Sequence, residues 1–462
     1  MAKKATVFVC QNCNSQFPKW AGQCASCGQW NSLVETMVAS VPPSRKEKTT
    51  LYSASPVKIS QVKTGRVSRQ ITGIKELDRV LGGGPPAARP PARQGEAGIV
   101  PGSVVLIAGS PGMGKSTLLT QLALSILKSS FINHKSVLYV CGEESPSQVK
   151  MRVERLNQAK PLKRNLLLLP ETNTEAILDN LEQEAEGLGL VIVDSIQTLW
   201  TERLTGVAGS VGQVRESASM LLKFAKASHL PIFLVGHVTK EGAIAGPKVL
   251  EHLVDVVLYL EGDGKHEFRL LRSVKNRFGG VDEVGVFLMR DSGLEEVNNP
   301  SEIFLPETGQ NQTPGSVVVV SLQGIRPILV EIQALVTFSS LAIPRRIGAG
   351  IDQKRLQVLC AILQRHANLK LADKDVYVNV AGGLTLREPA ADLGICLAIA
   401  SSYKNKPVKK GTVAIGEVGL LGEIRRVSFM EKRIKEAKIQ GFRTTISQQT
   451  GREIRTLVQR LF

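Results

Sequence analysis

The stretch "GSPGMGKST", residues 109 to 117, is the segment best equipped for chemistry. It matches the pattern G-x-x-x-x-G-K-[ST] and lies between an apolar run, "SVVLIA", and a helix-like run, "TLLTQLALSIL". In that setting Gly109, Gly112 and Gly114 let backbone N–H groups turn toward a triphosphate, with Ser110, Pro111, Met113 and Thr117 completing the cradle. The first turn of the following helix adds partial positive charge. Lys115 then reaches the β- and γ-phosphates and Ser116 ligates Mg²⁺, so ATP and Mg²⁺ are the expected ligands.

Other apolar runs end in groups that complete such a site. "GLVIVDS" ends in Asp194, expected to hold the magnesium shell from the strand neighbouring the loop. "SVLYVCGEES" presents Glu143 and Glu144, one of which polarises the attacking water, and Glu143 is the candidate. The plain alternatives are a helix-capping Asp and a solvated Glu. "PIFLVGH" carries His237 at its tip, placed to sense a γ-phosphate and signal to the loop that follows, although a lone His is more often structural. Further on, "SVKNRFGG" sets Lys275 and Arg277 one residue apart, so both project to the same side of a strand and can reach one target. Gly279 and Gly280 let the chain turn sharply afterwards.

Cys10-x-x-Cys13 and Cys24-x-x-Cys27 are separated by ten residues, a spacing that supplies four thiolates for tetrahedral Zn²⁺. A module of about 30 residues has too little apolar surface to fold alone, so the metal would supply most of its folding free energy. A redox-active pair is the weaker alternative, because no βαβ pattern surrounds the cysteines. Trp20 and Trp30 are expected to cover the small core, the alternative being that they stack on a base or a partner protein. The remaining cysteines stand singly in apolar stretches, which fits reduced thiols and a cytoplasmic location.

These residues need elements to hold them. Short Val/Ile/Leu runs alternate with helix-like stretches from about residue 61 to 300, and strands apolar throughout are buried on both faces, so a mainly parallel sheet covered by helices is expected. The domain reading is a zinc finger at 1–36, a linker at 37–60, an α/β ATPase domain at 61–300, a second linker at 301–315 and another α/β domain at 316–462. A Pro/Ala/Arg-rich excursion at 85–98 reads as a surface loop. The chain has 462 residues and a net charge of +17, which favours a polyanionic partner such as nucleic acid over a merely basic soluble protein. No run of 18 apolar residues occurs and the N-terminus lacks a signal-peptide pattern, so no membrane is expected.

In their order, the four-cysteine finger, "GSPGMGKST", "GEES", "VIVDS", "GHVTKEG" and "KNRFG" resemble the bacterial RadA/Sms family of DNA repair proteins across nearly the whole chain. The resemblance implies a RecA-like P-loop ATPase core that forms a ring, a hexamer, and drives branch migration on single-stranded and branched DNA beside a recombinase of the RecA type. It also makes Lys275 and Arg277 similar to the paired fingers of hexameric helicases, which deliver positive charge to a neighbour's γ-phosphate. Contact with DNA phosphates is the competing reading. The excursion at 85–98 departs from the family, in which "LGGG" runs almost directly into "IVPGS". DNA would meet the Gly-rich loops at 201–216, with Arg203 and Arg215, and at 239–249, with Lys240 and Lys248, although an ordinary surface loop would look similar.

Residues 316–462 resemble the proteolytic domain of Lon, whose peptidases use a Ser-Lys dyad. The stretch "EPAAD" puts Ala390 at the nucleophile position, and "GEIRR" puts Arg425 at the position of the base, where a guanidinium stays protonated. A proteolytically inactive scaffold is expected. Its basic stretches, Arg345 and Arg346 foremost with Lys354, Arg355, Arg425, Arg426, Lys432, Arg433 and Lys435, imply DNA binding and ring formation. Two rivals stand beside a DNA motor: a RecA-fold ATPase acting on protein partners, which DNA-stimulated hydrolysis would exclude, and an ATP-dependent protease, which Ala390 and Arg425 oppose.

Overall fold

The structure, a computed structural model, describes residues 5–10, 16–25, 28–38, 69–83, 97–128, 135–160, 162, 165–237, 247–262, 267–305 and 313–462. Cys13, Cys27, Lys240, the excursion at 85–96 and most of the first linker lie outside the described residues. Contacts divide the chain into two units between Glu296 and Val297.

The first unit begins with β1 (Ala5–Cys10), β2 (Gln16–Phe17) and β3 (Leu33–Val38), an antiparallel sheet in the order β2-β1-β3. Cys10, Cys24 and Leu33 are buried together, and Phe8 and Phe17 pack against them. Trp20 and Trp30 do not cover this core: they are 58% and 68% exposed. The two phenylalanines face each other across β1 and β2 and already fill the space the indoles were expected to fill.

After α1 (Lys75–Asp78) the chain alternates strand and helix: β4 (Val104–Gly109), α2 (Lys115–Lys128), β5 (Ser136–Cys141), α3 (Pro146–Leu156), β6 (Leu166–Leu169), α4 (Thr174–Glu184), β7 (Leu188–Asp194), α5 (Val211–Ser228) and β8 (Ile232–His237). Four further strands follow, β9 (Val256–Glu261), β10 (Phe268–Asn276), β11 (Val284–Arg290) and β12 (Gly293–Glu296). All belong to one sheet in the order β12-β11-β10-β9-β4-β8-β7-β5-β6. It is parallel from β9 to β6 and antiparallel from β9 outward to β12.

The period-2 alternation of each strand builds two cores. Val105 and Ile107 point into a layer with Leu119, Leu122 and Ile126 of α2. Val104 and Leu106 point into the opposite layer with Leu221 and Ala225 of α5 and Leu181 of α4. Strands buried on both faces leave only their ends for polar groups. That is why the chemistry-bearing residues sit where the apolar runs stop.

The second unit contains α6 (Ser301–Phe304), β13 (Ser316–Gln323), β14 (Arg326–Phe338), β15 (Arg346–Ala349), α7 (Gln353–His366), β16 (Lys374–Val380), α8 (Asp392–Lys404), β17 (Thr412–Ala414), β18 (Glu417–Val418), β19 (Ile424–Arg425), α9 (Met430–Ile439), β20 (Thr444–Ile446) and α10 (Ile454–Leu461). Its mixed sheet runs β15-β16-β14-β13-β17-β20, and β18 and β19 form a separate hairpin. Helix α8 is buried on every side from Leu393 to Ser401. Among the described residues no helix is long and apolar enough to cross a membrane.

Residues 301–304, read from sequence as part of a linker, instead form a helical turn. Phe304 is fully buried, and the Leu329 N–H donates to Ser301 Oγ at 3.1 Å. The surrounding Pro, Asn and Glu residues masked this one apolar anchor. Phe304→Ala should destabilise the second unit by about 3–5 kcal/mol, read as a lowered denaturant midpoint, whereas Glu302→Ala on the same turn should change it by less than about 0.5 kcal/mol.

Candidate active site

The nucleotide loop leaves β4 and enters α2, with Gly112 and Gly114 at φ values of 77° and 99° that side-chain-bearing residues rarely adopt. Lys115 is buried at the first position of α2, and its Nζ donates to the carbonyls of Gly109 and Ser110, both at 3.0 Å. Burial lowers its pKa, and the charges of Asp194 and Glu143 partly oppose that shift. The two carboxylates offset the cost of burying the ammonium, and an anionic ligand would need a further cation beside them.

The carboxylates arrive by different routes. Asp194 ends β7, but β8 lies between β7 and β4, so it stands two strands from the loop and not on the neighbouring strand as expected. The inserted strand brings His237 level with Gly109. After β5, the N–H groups of Gly142 and Glu143 both donate to the Asp194 carbonyl, at 2.8 and 3.2 Å. This close approach requires glycine, since a Cβ at residue 142 would stand 2.2 Å from Thr198 Oγ1. Glu143 is thereby set beside Asp194. One ligand atom from each of Glu143, Asp194 and His237 falls within 4.8 Å of the others, a group able to hold a cation.

Glu143 and Glu144 part company here. His237 Nε2 lies 3.2 Å from Glu143 Oε2, and the Ser195 hydroxyl donates to Oε1. The His237 contact, then Ser195 and Lys115, hold the Glu143 carboxyl below the usual range against the opposing effect of burial. It is therefore ionised at neutral pH. Glu144 is instead engaged by Arg152 of α3 in an ion pair. Arg152 also reaches the Tyr139 hydroxyl at 3.4 Å, and that hydroxyl donates to Asp194 Oδ2 at 2.6 Å. Burial is the largest cause of the raised Tyr139 pKa, which keeps the phenol protonated as a donor.

Tyr139, Arg152 and Ser195 were missed from sequence. Tyr139 had a signal: a hydroxyl in the middle of the apolar run "SVLYVC" needs a buried partner.

Lys275 and Arg277 sit elsewhere. Asn276 lies in register with Val256 of β9, and Val256 with Val105 at the start of β4, whereas the loop begins at Gly109. Four residues of strand, about 13 Å at roughly 3.3 Å each, separate the two levels. The pair thus occupies the end of the sheet opposite its own nucleotide loop. Lys275 Nζ donates to the Glu251 carbonyl at 2.6 Å, and Arg277 pairs with the buried Asp255 at 3.2 Å. Asp255 also accepts from Val104 N at 3.1 Å and lies 3.8 Å from Lys226 Nζ.

The candidate DNA cations fare unequally. Arg215 and Lys248 are exposed, and Arg203 is exposed within 3.8 Å of Glu175. The segment carrying Arg203 is pinned by buried Gln213, whose Nε2 donates to the carbonyls of Thr201, Leu204 and Gly206. Arg345 is exposed, but Arg346 is not a free surface cation: its guanidinium donates to the carbonyls of Leu371, Lys374 and Arg345. Arg433 is likewise no surface charge. It is fully buried and grips Glu388 at 2.8 and 2.5 Å. Arg355 pairs with buried Asp392, Nε to Oδ1 at 3.1 Å. Ala390 is buried between Glu388 and Asp392, and Arg425 is bound to Glu417 and Glu423 at 3.6 and 2.5 Å.

In the ribbon, Cys10 and Cys24 bring two thiols into one buried cluster, a donor type that suits Zn²⁺.

That order of strands around such a loop places the chain among RecA-like P-loop ATPases, here with an N-terminal zinc ribbon and a Lon-protease-like C-terminal domain. A family described as AAA domain matches residues 76–243, one described as rubredoxin metal binding domain matches 8–35, and one described as subunit ChlI of Mg-chelatase matches 331–450. The DNA repair protein RadA of Bacillus subtilis is 47% identical over 451 residues, covering 96% of this chain and 93% of that protein. That of Pseudomonas aeruginosa is 48% identical over 447 residues, with the same coverage, and that of Listeria monocytogenes 45% over 446, covering 96% and 92%. The chain belongs to the RadA family of DNA repair proteins.

The split between the two glutamates predicts unequal mutants. Glu143→Gln should lower the steady-state ATPase kcat by about 10²–10⁴-fold while leaving the Kd for a fluorescent ATP analogue nearly unchanged. Glu144→Gln should lower kcat by less than about tenfold. Equal losses would return Glu144 to the chemistry.

Proposed function

We propose that this chain is a DNA-stimulated ATPase that assembles as a hexameric ring and drives branch migration on single-stranded and branched DNA, alongside a RecA-type recombinase in the cytoplasm. Each hydrolysis site is completed at a seam between protomers. The observation that supports this reading is the position of Lys275 and Arg277 at the end of the sheet opposite their own loop, which leaves them nothing to do at the nucleotide of their own chain.

In this reading the loop from Gly109 to Thr117 holds the phosphates, and Lys115 offsets charge on the β- and γ-oxygens. Ser116 and Asp194 are the residues that would hold Mg²⁺, which would supply positive charge beside the transferring phosphoryl group. The Tyr139 hydroxyl orients Asp194 for that task. Glu143 accepts the proton of the attacking water, with Ser195 and His237 fixing its carboxylate. His237 touches Glu143 from the tip of β8, which suits it to sense the γ-phosphate. Lys275 and Arg277 of the adjacent protomer cover the equatorial oxygens that a single loop leaves exposed, a contribution on the order of 10³–10⁵ in rate.

The C-terminal domain acts in this reading as a ring and DNA scaffold and not as a protease. Residue 390 has no hydroxyl, and residue 425 is a guanidinium held by two carboxylates.

Two experiments test these roles. Lys115→Ala and Arg277→Ala should each abolish DNA-stimulated hydrolysis, and an equal mixture should recover activity at about a quarter of its interfaces, because a head-to-tail ring pairs some intact loops with intact fingers. No recovery would mean that Arg277 works on DNA or within its own chain. In the second domain, Arg345→Ala should weaken DNA binding and reduce the salt slope by about one, whereas Arg346→Ala should lower the unfolding midpoint by removing the donors to the carbonyls of Leu371 and Lys374.

A further inference from the structure

The zinc ribbon turns outward the two residues that a small core would most readily absorb. Trp20 is 58% exposed and Trp30 68%, while the phenylalanines do the packing. The indoles also converge: a methyl group placed on Gly22 would lie 3.7 Å from Trp30 Cζ3 and 3.9 Å from Trp20 Cη2. Their backbone is fixed. Asn31 N–H donates to the Gly22 carbonyl at 2.8 Å, Gln23 and Trp30 form an antiparallel bridge, and Gln23 Nε2 donates to the Gly28 carbonyl at 2.7 Å. Two aromatic rings are therefore presented side by side on a pre-organised turn.

Lys19 adjoins Trp20 in the chain, and the first acidic residue of the sequence is Glu35. Residues 1 to 34 contain Lys3, Lys4 and Lys19 and no Asp or Glu. An occupant must therefore bring flat apolar surface and negative charge together. Nucleobases on a phosphodiester strand do both. A base inside a duplex already has both faces covered by its neighbours, so only unpaired bases have a face to offer.

We propose that Trp20 and Trp30 form a stacking platform for unpaired nucleobases, making the ribbon a single-strand-binding module of this protein. This rests on the DNA-directed reading above and adds to it a site outside the ATPase core. Stacking accepts any base, so the platform reads strandedness and not sequence. Gln29 and Asn31 flank the rings as exposed amides that can reach base edges.

The test compares the full chain with the Trp20→Ala/Trp30→Ala double variant on three labelled probes of equal length: oligothymidylate, duplex, and a strand lacking bases. The variant should bind oligothymidylate about 10- to 100-fold more weakly, with duplex affinity changed by less than about threefold. Its salt slope should stay the same, since no phosphate contact is lost. Wild type should bind the base-free strand as weakly as the variant binds oligothymidylate. Zinc content equal to wild type shows the variant ribbon intact, and Trp20→Phe/Trp30→Phe should recover most of the affinity. Equal binding of oligothymidylate by wild type and variant would overturn the platform alone, as would a loss seen equally on the base-free strand, or a variant that keeps its DNA affinity but no longer binds a protein partner. Failure of the wild-type chain to bind any single strand would overturn the DNA-directed reading as well.

Discussion

A buried ammonium organises the ATPase core. Lys115 is closed to solvent at the start of α2, and a lone cation there would be costly in proportion to its burial. Asp194 and Glu143 are the carboxylates that raise its proton affinity against that burial. For them to do so, three strand ends must meet at one level. The Asp194 carbonyl accepts from the turn after β5, and β8 pairs with β4 up to the loop itself. Gly142, the inserted strand and the Tyr139 bond to Asp194 all follow from holding those charges together in a sheet whose interior is otherwise apolar.

Much of this could be seen in the sequence because the strands are apolar from end to end. Where such a run stops at a charged residue, that residue must lie at the sheet's edge, and Asp194, Glu143 and His237 were found that way. Strand order was not visible, because the runs carry no mark of which neighbour each will pair with; the strand between Asp194 and the loop was therefore missed. Charges with distant partners were misread for the same reason. Arg433 looks like one cation in a solvated helix, but its carboxylate, Glu388, lies 45 positions earlier in the chain. Arg346 looks free, but the carbonyls of Leu371 and Lys374, distant in sequence and brought close where β15 pairs with β16, accept from it. Local pattern identifies a residue's type of environment, whereas a buried ion pair depends on two segments meeting.

In the second domain two ion pairs hold one turn. The turn from Glu388 to Asp392 is fastened at both ends, by Arg433 on one side and Arg355 on the other. Removing Arg355 would leave the buried Asp392 uncompensated, and removing Glu388 would do the same to the buried Arg433, each a loss of roughly 3–5 kcal/mol. Nothing in that fastening depends on the residue between, which is why a buried methyl at Ala390 is compatible with the fold. The pairs hold α7, α8 and α9 to one turn, so they serve the architecture whether or not the turn carries a nucleophile.

The two ends of the first unit's sheet impose a direction on any assembly that uses both. The nucleotide loop opens at the C-terminal end of β4, and Lys275 and Arg277 stand at the level where β4 begins. A two-fold dimer could join loop to finger only reciprocally, through a single patch that contains both ends of the sheet. A head-to-tail contact joins unlike ends once per interface, and repeating it yields a closed ring or a filament. In the ring proposed above, Arg277 would exchange Asp255 for a neighbour's phosphates. Asp255 tolerates the exchange, because Lys226 and the Val104 N–H remain beside it. Asp255 does not depend on Arg277 alone, so in that proposal the exchange would strand no buried charge.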